Sequence, residues 1–344
     1  MPKDNENIPP LNDEPAPELP LRSFTPDQMV RCESCLRANP PIRTNCLYCG
    51  AALPVQSTAS VLQKPELRPL EKWEHGYNNI LLPPAANLSE SSIIEIADFL
   101  RLEMEDLQRI VTSEIPLPLA RSSSKEDAQL IQLRLRDAGL DSIIVADASL
   151  GLDPAVKLRA IEFHSEGLHG FQSPQSPPQE ISWDDLVLLV SGRITRKRVE
   201  LQEERKGKEN RVLAADQFFA DESVVDLFSK QGTTPFRIAS GSFDFSCLAE
   251  RKRLVAAENM SILIEVLRER SPALVYDEAY NAMRKALDPV WRSEQQIEST
   301  GWRRARPGKL SLGSATETSN EPQFSRYSRL RFYLRTQQLT NTNA

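Results

Sequence analysis

Apolar residues recur at helical spacing in a segment that begins near residue 90. Six of them follow one another at intervals of four or three residues: Ile93, Ala97, Leu100, Met104, Leu107 and Val111. This spacing predicts one amphipathic helix, although the same stretch also fits two short helices joined by a turn. The second of these is not expected to read DNA, because Glu103, Glu105 and Asp106 would face the phosphates.

The next pattern changes from strand to helix and back to strand. Apolar residues alternate at 115–119, Ser123 and Glu126 form a capping box that opens a helix, and Gly139 ends it before a second strand at 142–147. A β-α-β unit of this length favours a small parallel pair of strands and is similar to ferredoxin-like regulatory modules. It has no glycine-rich phosphate loop, so nucleotide binding is not expected.

From about residue 155, short apolar stretches alternate with turn residues, which is typical of antiparallel strands. Two helical stripes follow, one formed by Ala257, Met260, Ile264 and Leu267, the other by Tyr276, Tyr280, Met283 and Leu287. Six or seven strands followed by a helix resemble a pleckstrin-homology-like domain over roughly residues 155–290. The resemblance implies an antiparallel barrel or sandwich with Trp183 in its core.

Four of the five cysteines lie near the start of the chain as two identically spaced pairs. Cys32 and Cys35 form the first pair, and Cys46 and Cys49 form the second after ten intervening residues. A two-residue gap lets one tight turn direct two sulfur atoms at the same ion, and two such turns complete a tetrahedral four-thiolate set. We therefore predict one structural Zn²⁺ site with no open position for a substrate.

The two turns of this site are predicted to differ. Gly50 suits the positive φ that ends such a turn, whereas Leu36 follows the first pair. A reactive dithiol of thioredoxin type is the alternative to a metal site. It would need a single CxxC at the start of a helix, and these two pairs lie among prolines.

The cysteine segment resembles the zinc finger of Ran-binding-protein type over about 25 residues. The zinc ribbons of bacterial proteins fit the cysteine spacing equally well. Both resemblances imply a small zinc-bound fold with four cysteine ligands. The shared pattern is Cys32-x2-Cys35-x3-Asn39-x6-Cys46-x2-Cys49, with Pro40 directly after the asparagine.

Members of the Ran-binding-protein type bind single-stranded RNA or ubiquitin. The RNA-binding members carry a tryptophan two positions before the first cysteine, where this chain has Val30. The ubiquitin-binding members carry a Thr-Phe pair where this chain has Leu36 and Arg37. The resemblance therefore implies the fold and the ligands without naming the partner.

Composition indicates an ordinary soluble protein, with 40% hydrophobic and 26% charged residues. The sequence has no apolar run of about 18 residues and its first residues are polar, so neither a membrane span nor a secretory signal is expected. We expect a cytoplasmic protein, in which CxxC pairs stay reduced and bind metal. The net charge of −6 gives no general attraction to nucleic acid or anionic membranes.

Residues 293–344 are basic, with eight lysines and arginines against four acidic residues. Aromatic and aliphatic residues there alternate with arginines: Phe324, Arg326, Tyr327, Arg329, Leu330, Arg331, Phe332, Tyr333 and Arg335. The pattern suits RNA stacking or an anionic membrane surface. An added strand or a flexible tail is the alternative that we favour.

No catalytic arrangement is recognisable. His75, His164 and His169 are the only histidines, and the last two are expected on the surface of a hairpin. Asp184 and Asp185 would point to opposite faces of a strand. Cys247 is flanked by apolar residues, as a structural thiol would be. We therefore expect a protein that is not an enzyme.

The fold class predicted is α+β, in six segments. They are a disordered acidic proline-rich arm (1–28), a four-cysteine zinc finger (29–54), a proline-rich linker (55–88), a helix plus β-α-β module (89–150), an antiparallel β domain with C-terminal helices (155–290) and a basic, largely flexible tail (293–344).

The predicted function is that of a zinc-binding adaptor or regulator that binds another protein. The alternative is a regulator that binds single-stranded nucleic acid through Arg31, Arg37, Arg43 and the basic tail. These three arginines also suit a merely soluble surface. Anionic lipid is not an expected partner, because acidic residues at 200–204 follow the basic cluster at 193–198.

Overall fold

The computed structural model describes residues 24, 29–53, 64–83, 88–206, 209–306 and 309–342. The chain divides into two compact units, Met1–Gln63 and Lys64–Ala344. The predicted acidic arm lies outside the described residues except for residue 24, as do residues 54–63 and 84–87 of the predicted linker. Within the described ranges, no helix combines the length and the apolar character needed to cross a bilayer.

The described part of the first unit, residues 29–53, is a small module with one pair of short strands. Strands β1 (Val30–Arg31) and β2 (Ala38–Asn39) pair antiparallel. The buried apolar cluster contains only four residues among those described, Val30, Cys32, Cys46 and Leu53. A cluster of this size buries too little surface to hold a chain folded without a further cross-link.

A three-stranded sheet and three helices begin the second unit. Their bounds are β3 (Tyr77–Leu81), α1 (Glu90–Leu100), α2 (Met104–Thr112), β4 (Leu117–Ser122), α3 (Lys125–Asp137) and β5 (Ser142–Ala146). The sheet order is β4-β3-β5, and β3 is antiparallel to both neighbours. The two strands of the predicted β-α-β unit are therefore parallel to each other, but β3 lies between them.

Strand β3 comes from the segment that the sequence analysis assigns to a linker. Two adjacent asparagines obscure its strand pattern, and both are fully buried. Asn78 donates to the Val145 carbonyl at 3.0 Å, and Asn79 donates to the Ala128 carbonyl at 2.8 Å. These tertiary hydrogen bonds satisfy the two buried amide nitrogens, and a local sequence pattern cannot show them.

The segment near residue 90 forms the two-helix alternative. The chain leaves α1 at Arg101, whose φ of 56° ends the helix, and α2 begins three residues later. Helix α3 begins one residue later than the predicted capping box. Ser124 is its N-cap, and its hydroxyl accepts from the Asp127 N–H at 3.1 Å.

Ten strands and two helices follow in the second unit, before its last helix. Its strands are β6 (Val156–Leu158), β7 (Ala160–Phe163), β8 (Gly167–Phe171), β9 (Gln179–Ser182), β10 (Leu186–Lys206), β11 (Glu209–Ser229), β12 (Phe236–Ala239), β13 (Val275–Asp277), β14 (Glu294–Arg306) and β15 (Lys309–Ser319). Helices α4 (Ala256–Arg270) and α5 (Tyr280–Leu287) match the two predicted stripes, except that Tyr276 lies in β13.

Seven of these strands form one open sheet. Its order is β14-β15-β10-β11-β12-β6, and β13 pairs with β10 in parallel. Strands β7, β8 and β9 form a separate antiparallel sheet. The described strands thus form no closed barrel, and the pleckstrin-homology-like arrangement is not confirmed. The sheet is open because its two edge strands, β14 and β6, do not pair with each other.

The inner part of β10 is buried on both faces. Leu188 and Val190 belong to a core that also includes residues of α1, α2, α3, α5 and the β4-β3-β5 sheet. Leu186 and Leu189 belong to a second core, formed with α4 and the β7-β8-β9 sheet. The nearly continuous apolar run at 186–190 is explained by this two-sided burial. The β4-β3-β5 sheet and the seven-stranded sheet therefore contribute to one continuous core.

The arginine-rich C-terminal segment forms helix α6 (Glu321–Thr342), where the sequence analysis expects a strand or a flexible tail. Phe324, Tyr327 and Leu330 are completely buried. Gly192 of β10 leaves space for the Phe324 ring, because a Cβ at this position would lie 2.5 Å from it. Phe324, Tyr327 and Phe332 are thus core residues that are unavailable for stacking on RNA bases, whereas Tyr333 is half-buried.

Candidate metal centre

The four predicted ligands converge in the first unit. The Sγ atoms of Cys32 and Cys49 are 3.6 Å apart, those of Cys35 and Cys46 are 3.5 Å apart, and all four lie within 4.8 Å of one another. A tetrahedral ion with metal–sulfur bonds of about 2.3 Å requires sulfur–sulfur distances of about 3.8 Å. The four cysteines are therefore positioned to hold one metal ion.

The two CxxC turns have the same backbone geometry. The Leu36 N–H donates to the Cys32 carbonyl at 2.8 Å, and the Gly50 N–H donates to the Cys46 carbonyl at 3.0 Å. Leu36 has a φ of 59° and Gly50 a φ of 73°. The prediction that the turns differ is wrong, because Leu36 adopts the left-handed conformation at a cost of about 1 kcal/mol.

Cys46 is the ligand best prepared to be a thiolate. Burial opposes its ionisation, but the backbone N–H groups of Tyr48 and Cys49, the Asn39 amide and the Cys35 thiol together lower its pKa to about 6. The Tyr48 N–H lies 3.4 Å from the Cys46 Sγ. A sulfur that already accepts hydrogen bonds in its charged form is suited to bind a cation.

Asn39 connects the first strand pair to the second CxxC turn. Its amide oxygen accepts from the Leu47 N–H at 2.8 Å, and its amide nitrogen donates to the Arg37 carbonyl at 2.9 Å. The same nitrogen lies 3.4 Å from the Cys46 Sγ, and the side chain is completely buried. The sequence pattern contains this asparagine, but only the structure shows that it orients a ligand.

Replacing Asn39 by alanine is expected to weaken metal affinity by about 10- to 100-fold, the usual effect of losing a group that orients a ligand. The variant loses the contact to the Cys46 Sγ and leaves the Leu47 N–H unpaired. A competition titration against a chromophoric chelator measures the change. Asn45→Ala is the control, because the Asn45 side chain has no hydrogen bond to any described residue; equal affinities of the two variants would contradict the role of Asn39.

A second group of metal-ligating side chains lies on the β7–β8 hairpin. Glu162, His164 and His169 bring one ligand atom each within 4.8 Å of the others, and the two imidazole rings are 4.0 Å apart. Glu162 pairs with His169 across the strands. The sequence analysis expects these histidines on a hairpin surface and does not bring in Glu162. The Glu-x-His spacing of Glu162 and His164 is the signal that points to it. The carboxylate and His164 are exposed, so water can satisfy them, and the four-cysteine group is the stronger metal site.

The remaining cysteine is separate from the metal centre in the sequence and in the fold. Cys247 lies in the second unit, in a short 3₁₀ helix at Phe245–Arg251, and is half-buried. Burial raises the pKa of its thiol to about 11. It is therefore protonated near neutral pH, as a packing residue would be.

Comparisons with known proteins were made for the whole chain, and no family model, curated protein or solved structure matches it. The resemblance to the Ran-binding-protein type is therefore not confirmed by a family match. Fold and site together define the class of the protein: a four-cysteine metal-binding module followed by a mixed α+β unit.

Proposed function

We propose that this chain is a non-catalytic zinc-binding adaptor, in which a structural Zn²⁺ holds residues 29–53 folded and the finger binds another protein. Zinc is the metal proposed because four thiolates at nearly tetrahedral spacing suit it and leave no coordination position open for a substrate. A reducing compartment such as the cytoplasm suits the proposal, because it keeps the four thiols available as ligands.

The observation that carries the proposal is the exposure of three large apolar side chains on the small finger, those of Leu36, Leu47 and Tyr48, which we call the apolar patch. Leu36 is 65% exposed and Tyr48 is 56% exposed, in a module whose buried core has only four residues among those described. The Arg37 guanidinium lies 4.7 Å from the centre of the Tyr48 ring. Tyrosine and arginine are enriched at protein interfaces, and apolar patches on small modules mark interaction sites.

The charge around the patch suggests the kind of partner. Arg31, Arg37 and Arg43 surround the metal module, and the only acidic residue between 29 and 53 is Glu33. An apolar pocket with an acidic rim on the partner would complement this surface. The proposed partner is therefore a protein whose apolar pocket binds the Leu36 and Tyr48 side chains and whose acidic rim pairs with the arginines.

The double variant Leu36→Ser/Tyr48→Ser tests this surface in quantitative affinity capture from the native cell. Proteins enriched by the wild-type chain should be lost with the double variant and retained with Leu254→Ser, which changes a fully exposed leucine of the second unit. Metal analysis should show one zinc per chain in all three proteins. The proposal fails if the captured set is the same for the double variant and the control.

Binding of single-stranded nucleic acid is the second candidate, and the exposed Tyr48 ring beside Arg37 favours it. The other feature that suggested nucleic-acid binding, the arginine- and aromatic-rich C-terminal segment, supports it less, because Phe324 and Tyr327 are buried. Single-stranded RNA titrated at 50 and at 200 mM salt distinguishes the candidates. Tight binding that falls steeply with salt and is lost in Arg37→Gln would replace the adaptor by this candidate.

A further inference from the structure

A cleft of about 580 Å³ lies in the second unit, between residues 67–72, α1, β4, the 289–294 segment and α6. Six basic residues line it against two acidic ones, Glu71 and Glu294. The basic residues are Arg68, Lys72, Arg101, Arg121, Arg292 and Arg326. Like charges gathered in a concave site raise the local concentration of anions, so the cleft is a candidate for an anionic ligand.

Four of the six basic residues already have partners in the protein. Arg68 pairs with Glu74 at 2.7 Å, and Lys72 pairs with Glu294. Arg121 donates to Asp147 through its Nε at 3.1 Å, and Arg101 donates to the Leu67 carbonyl at 2.8 Å. These contacts fix the walls of the cleft and pair Glu294, whereas Glu71, the other acidic residue of the lining, is exposed to solvent.

Arg326 of α6 is different. Its Nε atom is inaccessible to water and has no acceptor, and its guanidinium forms no ion pair with any described residue. Burial and the positive charge of Arg121 lower its pKa, whereas Asp147 and Glu294 attract it from a distance. Since arginine remains protonated in proteins, this is a partly buried cation without a counter-ion, which is an unfavourable arrangement.

Arg292 lies on the same cleft and is exposed. It likewise has no hydrogen bond or ion pair with another residue in the part of the chain that the structure describes. The apolar part of the lining that keeps accessible surface includes Leu67, Leu70 and Val290. Ligand pockets commonly combine an apolar wall with a few polar groups that orient the ligand.

We propose that this cleft binds a small organic phosphate, with the phosphate held by Arg326 and Arg292 and the organic part lying against the apolar wall. The planar guanidinium matches phosphate oxygens in bidentate geometry, and a dianion satisfies two cations at once. The volume is sufficient for a ligand of nucleotide size. This site is independent of the zinc finger and goes beyond the adaptor function.

Titration calorimetry of the full zinc-loaded chain at constant ionic strength tests the proposal, with inorganic phosphate, phenyl phosphate and phenol as probes. Both phosphates should bind saturably, phenyl phosphate about tenfold more tightly than inorganic phosphate, and phenol should not bind. A comparable saturable heat in a titration with sodium chloride would reduce the effect to general screening and overturn the proposal, as would the absence of binding by both phosphates.

Three variants identify the residues. Arg326→Gln should fold at least as stably as the wild type without ligand, because an unpaired buried charge is removed, and should weaken phenyl phosphate binding by about tenfold or more. Arg292→Gln should weaken binding without changing stability. Arg253→Gln, which changes an exposed arginine outside the cleft, should leave the affinity unchanged. Equal affinity in Arg326→Gln and Arg253→Gln would overturn the assignment, whatever becomes of the adaptor function.

Discussion

Replacing Cys32 by serine should abolish stoichiometric metal binding and unfold residues 29–53. The finger has a buried cluster of only four residues among those described, and two of them, Cys32 and Cys46, are ligands. Zinc binding by small fingers is worth about 10–16 kcal/mol, and in such modules this is the free energy of folding. Plasma mass spectrometry after gel filtration should find one zinc per wild-type chain and close to none in the variant.

Limited proteolysis provides the structural measurement. The variant and the chelated wild type should both be cut within residues 29–53, whereas the second unit, with its own two cores, should resist. Cys247→Ser is the matched control, since it removes a thiol from the second unit and should keep one zinc per chain. Full metal content or a protease-resistant finger in Cys32→Ser would contradict the assignment.

The metal site could be predicted because its information is local. Two CxxC pairs separated by ten residues place the four sulfurs through two backbone turns, with no help from the rest of the chain. The conformation of Leu36 could not be predicted in the same way. A positive φ at this leucine lets the first turn direct its two sulfurs toward the same point as the second turn, so that all four cysteines converge.

In the second unit, the sequence predicted those helices that have one apolar face. The helical spacing marks α4 and α5, which place their apolar stripes against a sheet. It does not reveal α6, because α6 buries Ser328 and Arg329 as well as aromatic residues. A helix that is buried on several sides has no polar face, so its arginines are misread as a basic surface.

Two polar residues of α6, Glu321 and Ser328, belong to one ionic network with the seven-stranded sheet. Arg237 of β12 forms a bidentate pair with Asp226 of β11 at 2.7 and 2.8 Å. From α6, Glu321 accepts from the Arg237 Nη1 at 3.0 Å, and the Ser328 hydroxyl donates to Asp226 at 2.7 Å. The network therefore fixes the position of α6, and with it that of Arg326, against the sheet.

Replacing Arg237 by methionine should destabilise the second unit by about 3–5 kcal/mol. Asp226 is 0% exposed and Arg237 is 4% exposed, and removing one member of a buried ion pair leaves the other charge without compensation. Asp226→Asn should have a comparable effect. The double variant should cost less than the sum of the two single variants by about 1–3 kcal/mol, because residues in direct contact are coupled.

Urea unfolding followed by tryptophan fluorescence measures these changes in the second unit alone, because all four tryptophans lie after residue 63. Arg251→Met is the matched control. Its guanidinium pairs with Glu265 and Glu269 at 3.2 and 3.0 Å, but all three side chains are exposed, so its loss should stay within about 0.5 kcal/mol. If Arg237→Met cost no more than this control, the network would be dispensable, and the apolar contacts of Phe324, Tyr327 and Leu330 would alone hold α6 in place.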